Sequence, residues 1–430
     1  MTPTHSLQLF LPCAAGVEGF LADEVHRLTG LAGDDLLVGR GGVLLRAAWR
    51  DALLLNLHSR LAQRVLVQVS HTPYRGEQDL YQAAAEVPWE AWFGVRQSFK
   101  VEVTAQHSPL KSLNFAGLKI KDAVADRFRR VAGARPDVDT DRPDVRLYAH
   151  LTSDMATLYV DTSGEPLFKR GWREDKGEAP LKETLAAAMI AASGWDQLAA
   201  EGVPLYDPCC GSGTIAIEAA QIACGIAPGS LRRFGFEKLL PFQAHVWQAL
   251  KAEASAAEHA PTAPVFGSDV AHRMVDFAQR NAERAGVAHA VQLRGGDALQ
   301  RMPPSEHPGV MLLNPPYGER IAAAGVAGRG RENFQPGALA QQRGTGGRET
   351  AQTDDGGDFF LQLAAHWKKN YAGWTAWLLT PDLKLPGRMR LKESRRVPMW
   401  NGPIECRMFR FDLVQGAARA KSAPAPDAGA

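Results

Sequence analysis

The sequence predicts an α/β protein: an open parallel sheet with helices on both faces, preceded by two small α+β units. Three observations carry this. From about residue 203 to 415, apolar runs alternate with helical stretches, the pattern of repeated strand–helix units. Ahead of them, short strand-like runs and helices fill about residues 6–165 in the mixed order of compact α+β units. The two most distinctive turns, Asp207–Gly213 and Asn314–Tyr317, each follow an apolar strand. Open α/β sheets bind ligands at that end of their strands.

Residues 1–65 form the first expected unit. LQLFLP reads as its first strand. GVEGFLADEVHRL is an amphipathic helix with Val17, Phe20, Leu21, Val25 and Leu28 on one face, followed by the strand GGVLLRA and the helix WRDALLLNLHSRLA. The second unit is expected over 66–165. SFKVEVTAQ is a strand, GLKIKDAVADRFRR a helix with Ile120, Val124, Phe128 and Val131 inward, and RLYAHL and TLYVDTS are paired strands. A charged connector and an Ala-rich linker helix fill 166–200, and 201–415 is the large α/β domain. Two stretches break its pattern. The Gly-, Gln- and Arg-rich insert 322–357 reads as a mobile loop, and the Ala/Pro-rich tail 416–430 as disordered.

Composition bounds the function classes. The chain has 430 residues, 45% hydrophobic and 22% charged, with a formal net charge of only +2. Any nucleic-acid surface is therefore a local patch. No apolar run approaches the roughly 20 residues of a membrane span. The N-terminus lacks the basic leader of a secretory signal. Five cysteines without CxxC spacing support neither a disulfide framework nor a zinc site. A reducing cytoplasm and no metal are the expectation. Between Lys100 and Arg135 eight basic residues face three acids, the clearest skew in the chain. This reads as a solvated helix face or as a phosphate-binding surface.

The turns carry the chemistry. In Asp207-Pro208-Cys209-Cys210-Gly211-Ser212-Gly213 the glycines permit a tight turn and close ligand approach before a helix at about Thr214. The spacing is neither a dinucleotide fingerprint nor a phosphate loop. An acid at the strand end repels pyrophosphate and suits a cofactor bearing a cation or an amine, such as S-adenosylmethionine. Asp269 closes the next strand, where a carboxylate holds ribose hydroxyls. It follows late because a helical insert, Gly225 to about Ala260, intervenes. Asp297 stands one unit further on, placed for an adenine amino group. Either acid alone also reads as a helix cap. In Asn314-Pro315-Pro316-Tyr317, the prolines remove backbone donors and extend the chain. Its carbonyls and the Asn314 amide oxygen then serve as acceptors for an amino group, and Tyr317 can stack on a flat ring. Alone, the motif also reads as a loop that ends a strand.

Taken together, DPCCGSG, GSD, GDA and NPPY resemble class I S-adenosylmethionine-dependent methyltransferases that act on amino groups. With LPCAAGVEGFLADEV, FAGLKIKDAVADRFR, RPDVRLYAHL, RGWRE…APLKETLAAA and NPPYGER, about residues 6–415 resemble the THUMP-domain 23S rRNA guanine-N2 methyltransferases of RlmL type. The resemblance implies a ferredoxin-like segment (1–65), a THUMP RNA-binding domain (66–165) and a Rossmann-like methyltransferase domain (201–415). It also implies catalytic roles for Asn314, Pro315, Pro316 and Tyr317. Cofactor contacts are implied at Asp207, Pro208, Cys209, Gly211, Gly213, Asp269, Asp297 and Asn314, and at Thr184 in the linker helix. Lys119, Lys121, Arg127 and Arg130 are the expected RNA contacts, with 23S rRNA or its large-subunit precursor as partner. Some family members carry a second methyltransferase domain that makes 7-methylguanosine. This sequence stops before such a domain, so only the N2 activity is implied. The insert beside NPPY departs from the family pattern. Competing readings keep the fold and change the substrate (adenine N6 in DNA, a protein glutamine amide, a tRNA guanine), or make the chain a non-catalytic RNA-binding assembly factor.

Overall fold

A computed structural model describes residues 6–177, 180–315 and 356–414. The N-terminal half is built on one seven-stranded sheet, ordered β2-β3-β1-β4-β7-β6-β5. Its strands are β1 (Leu7–Pro12), β2 (Leu36–Gly39), β3 (Gly42–Ala47), β4 (Leu66–Pro73), β5 (Phe99–Ala105), β6 (Val145–Leu151) and β7 (Met155–Asp161). The two expected α+β units therefore share a continuous sheet, joined where β1 pairs antiparallel with β4 at Leu9–Val67 and Phe10–Leu66. The sequence reading missed β2 and β4. Helices α1 (Glu18–Thr29), α2 (Trp49–His58), α3 (Glu77–Glu86) and α4 (Leu113–Ala132) accompany this sheet. In α4, Ser112 caps the first turn by accepting from the Phe115 N–H at 3.2 Å, and left-handed Gly133 ends the helix. Ile120, Val124 and Phe128 are buried as expected, but Val131 is 47% exposed. It lies in the last turn, past the reach of the packed face.

The C-terminal half is a second seven-stranded sheet, ordered β10-β9-β8-β11-β12-β14-β13. Its strands are β8 (Leu205–Asp207), β9 (Val265–Asp269), β10 (Val291–Gly295), β11 (Val310–Leu313), β12 (Thr375–Thr380), β13 (Arg395–Asn401) and β14 (Ile404–Asp412). The first five are parallel to one another. All four residues of β11 are buried, as a strand covered on both faces requires. The sheet is not wholly parallel: β14 runs antiparallel to β12, and β13 antiparallel to β14. Helices α5 (Glu183–Ser193), α6 (Trp195–Leu198), α7 (Thr214–Ala223), α8 (Ala244–Ala256), α9 (His272–Arg284), α10 (Gly356–Asn370) and α11 (Leu385–Met389) complete the domain. One face, carrying Leu312, Trp377, Leu379 and Met408, belongs to a core shared with α5, α7 and the N-terminal unit. The other, carrying Met311, Leu313, Leu378 and Phe409, packs with Leu363, Trp367 and Met389 of α10 and α11.

The halves are tied together by buried polar contacts. Arg170 is 2% exposed and donates to Glu218 of α7 at 3.0 Å and to the Arg60 carbonyl at 2.7 Å. Arg60 also reaches Glu218, at 3.2 Å. Glu24 accepts from Ser59 and from the Arg60 N–H. The insert between α7 and β9 adds backbone bonds from Gly229 to Leu57, Phe236 to Thr162 and Leu240 to Trp92. Among the described residues no helix is long and apolar enough to cross a membrane.

Candidate active site

Strand register brings the expected cofactor residues to one end of the C-terminal sheet. Asp207 of β8 pairs with Gly267 of β9, and Asp269 with Gly295 of β10. Met311 pairs with Tyr206, so Asn314 leaves β11 beside the turn that follows β8. Within that turn Gly211 and Gly213 are left-handed, with φ of 51° and 88°. A Cβ on Gly213 would lie 2.9 Å from Ala278 Cβ, so only glycine seats the turn against α9. Gly211 N–H donates to Asp269 Oδ2 at 2.9 Å, Cys210 N–H to the Ser268 carbonyl at 2.9 Å, and Cys209 N–H to Asp207 Oδ1 at 3.1 Å. Asp297 fixes its own loop by accepting from Leu299 N–H at 2.9 Å.

The electrostatics are those of a site built for positive charge. Asp207 is 1% exposed. Burial pushes its carboxyl up to about 8, and Asp269 pushes in the same direction. Burial also raises Asp269. The Cys209 thiol is raised by burial and then by the charges of Asp207, Asp269 and Asp297. Cationic ligand groups placed among them relieve this repulsion.

At the lip of the site, Asn314 Oδ1 is buried and has no hydrogen-bond partner among the described residues. A buried acceptor left empty costs about 1–3 kcal/mol, and such orphans mark sites that await a donor. Pro315 is buried. Pro316 and Tyr317 lie outside the described residues, as do the tail and all of the insert except its last two residues, which open α10. Thr184 is 6% exposed, in the first turn of α5. Its neighbour Glu183 is bridged by Arg173 to Thr214 Oγ1, the latter at 2.7 Å, which joins that turn to the start of α7. Pro208 stands within the turn between Asp207 and Cys209.

The expected RNA contacts divide. Arg127 has its guanidinium bound to the Glu90 carboxylate and to the Ala85 carbonyl at 3.3 Å, so it joins α4 to α3 and the turn after it. Lys119 lies over the Phe115 ring at 5.4 Å, Lys121 pairs with Asp122 at 3.2 Å, and Arg130 is exposed. The sequence reading missed a basic segment after β12. There Arg388 and Arg396 pair with Asp382 and Glu393. Lys384, Arg390, Lys392 and Arg395 are exposed and have no ion-pair partner among the described residues. Charge counting along 383–396 would have found it.

Three family descriptions match, in chain order: RlmL ferredoxin-like domain at 8–66, THUMP domain at 74–161, and RMKL-like methyltransferase domain at 170–331. The chain thus carries an RlmL-type ferredoxin-like domain, a THUMP domain and an RMKL-like methyltransferase domain, in that order. A relative from Psychromonas ingrahamii, named ribosomal RNA large subunit methyltransferase K/L, is 35% identical over 95% of this chain and 50% of its own length. The chain spans about half the length of the curated relatives it matches. Among solved structures, SMU.472, crystallised as a complex with SAH, superposes with a TM-score of 0.79 at 26% identity, covering 96% of this chain and 99% of its own. A possible methylase from Clostridium difficile 630 gives 0.80 at 25% identity, covering 96% and 100%. The family's fold is thus matched over nearly the whole chain, the N-terminal sheet included.

Proposed function

We propose that this chain transfers a methyl group from S-adenosylmethionine to the exocyclic N2 amine of a guanine in 23S rRNA or its large-subunit precursor. The observation that carries the reading is the buried Asn314 Oδ1, which has no hydrogen-bond partner among the described residues and leaves its strand beside the turn that follows Asp207. The residues present fit the cofactor. Asp207 and Asp269 answer its positive charge and its ribose, Asp297 its adenine amine, and the left-handed glycines leave room for close approach. Cys209, Pro208 and Thr184 complete the proposed contacts. When bound, S-adenosylmethionine supplies an electrophilic methyl on a sulfonium, an excellent leaving group.

The protein's task is then to prepare the amine. The guanine N2 lone pair is delocalised into the ring, which makes it a weak nucleophile. Asn314 Oδ1 and the Pro315 carbonyl accept the two N2 hydrogens, draw the nitrogen toward sp³ geometry and aim its lone pair. Pro316 brings no backbone N–H to compete for these acceptors, and the proposed role of Tyr317 is to stack on the base, worth on the order of 1–3 kcal/mol. Positioning carries most of the barrier reduction; the methylated nitrogen, cationic and strongly acidic, gives up one hydrogen to solvent, so no strong general base is required. A paired guanine has to be flipped out to reach the lip.

The rest of the molecule supports an RNA substrate. Lys119, Lys121 and Arg130 of the THUMP helix, and the basic segment Lys384–Arg396, are the proposed phosphate contacts. All five cysteines are unbridged, which supports a reducing compartment, the cytoplasm. A labelled-methyl assay on 23S rRNA, tRNA and duplex DNA tests the reading. Incorporation into rRNA supports it, whereas incorporation confined to tRNA or DNA replaces its substrate. No incorporation with any of them favours a binding factor.

A further inference from the structure

Asn281 sits on the inner side of α9 and is fully buried. Asn is a poor choice for a helix interior, because its amide competes with the backbone ladder. Here every polar position of that amide is used. Its Oδ1 accepts from the backbone N–H of Glu174 at 3.4 Å and of Asp175 at 3.3 Å, and from Arg284 Nη2 at 2.8 Å. Its Nδ2 donates to the Asp175 carbonyl at 2.8 Å and to the Ser212 carbonyl at 3.1 Å. One side chain therefore joins three segments: α9, the connector that leaves the N-terminal sheet, and the cofactor turn. Ser212 is the residue between the two left-handed glycines of that turn.

Other contacts hold the connector in the same place. The Asp175 carboxylate binds Arg280 at 2.8 and 3.1 Å and Arg284 at 2.5 Å. Arg284 Nε reaches the Trp172 carbonyl at 3.1 Å, and Arg173 reaches Thr214. Met274 of α9 lies between connector and turn: its Cε is 3.2 Å from where a Cβ on Gly177 would stand and 3.9 Å from one on Gly211.

We propose that Asn281 is a positioning residue for the cofactor turn: by anchoring the Ser212 carbonyl to the connector it sets the turn that receives S-adenosylmethionine. The proposal rests on the reading of that turn as the methyl-donor site. Removing the amide leaves the buried Ser212 carbonyl and the half-buried Asp175 carbonyl without their donor, and the turn has to move to recover one.

The test is calorimetric titration of the full chain with S-adenosylmethionine, alongside RNA binding and thermal unfolding. Asn281→Ala is compared with Asn56→Ala. Asn56 is an equally buried amide (1% exposed) that bonds Ala52, Thr162 and Ser163 in the N-terminal unit, away from the turn. The expected result is a cofactor Kd weakened on the order of tenfold in Asn281→Ala, the lower range for outer-shell partners of a bound ligand. RNA affinity stays unchanged, and Asn56→Ala loses thermal stability but keeps cofactor affinity. Asn281→Asp retains the acceptor side and loses the donor to Ser212, so it carries the same prediction if the alanine variant fails to fold. Wild-type cofactor affinity in the Asn281 variants, or equal weakening in Asn56→Ala, overturns the positioning role. Failure of the wild-type chain to bind the cofactor at all overturns the reading of the turn, and the proposal with it.

Discussion

Asn314 and Asp207 state the account at the scale of single residues. Asn314→Ala removes an acceptor that is proposed to act on the substrate amine and not on the cofactor. Its kcat for RNA methylation should fall by about 10²–10³-fold, comparable to losing one preorganised polar group in other enzymes. Cofactor affinity by titration should stay within about twofold, since losing one carboxamide at the lip leaves the carboxylates in place. Asp207 gives a pH prediction. Its folded carboxyl is raised to about 8, so the ligand-free fold holds a proton that the unfolded chain releases near its ordinary value of about 3.9. The sign follows: this group's contribution to stability is full below pH 4 and is lost as pH rises through 8. A bound cation favours the ionised form, so cofactor binding should release a proton and tighten as pH rises from 6 toward 8. Titrations in buffers of different ionisation enthalpy read that proton directly. These residues were legible in the sequence because each stands at a strand end beside Gly or Pro, where backbone chemistry announces a site. Asn281 and Arg127 were not. Their roles are set by partners more than 30 positions away, which no local pattern records.

At the scale of elements, the connector and α7 form the joint between the halves. Glu218 is fully buried and serves two arginines, Arg60 at 3.2 Å and Arg170 at 3.0 Å. Glu218→Leu leaves both cations desolvated without their carboxylate. The expected loss is about 3–5 kcal/mol of unfolding free energy, read by urea denaturation. Replacing Arg60, Arg170 and Glu218 together by apolar residues should cost much less, because a buried ion network is expensive to break and cheap to omit. Most of the elements were visible from periodicity: β1, α1, β5, α7, α9 and β11 fall where apolar spacing puts them. β2 and the β13–β14 hairpin did not stand out. Leu37 and Val38 of β2 lie on an edge and are 52% and 57% exposed, and β13 carries Arg395, Arg396 and Pro398 among its apolar positions. The connector read only as a charged linker, because ion pairs of its side chains run to α5, α7 and α9.

For the whole molecule, two seven-stranded sheets share one core, so RNA that the N-terminal unit is proposed to hold would meet the proposed catalytic lip at a fixed reach. That the first two units would merge into one sheet was not readable, since β4 supplies the seam and its pairing with β1 is non-local. The net charge of +2 hides local surfaces, of which the segment after β12 is the more exposed. Changing Lys384, Arg390, Lys392 and Arg395 to Ala should weaken RNA binding across sequences alike. It should also flatten the log–log salt slope by about 0.7–0.9 for each phosphate contact removed. An unchanged slope in filter binding would remove that surface from the RNA path. The measurement that tests the central claim most directly is nucleoside mass mapping of 23S rRNA after incubation with the purified chain and isotopically labelled S-adenosylmethionine. The account predicts label in N2-methylguanosine at a defined position, lost with Asn314→Ala. Label on another atom or another base, or label that survives Asn314→Ala, contradicts it.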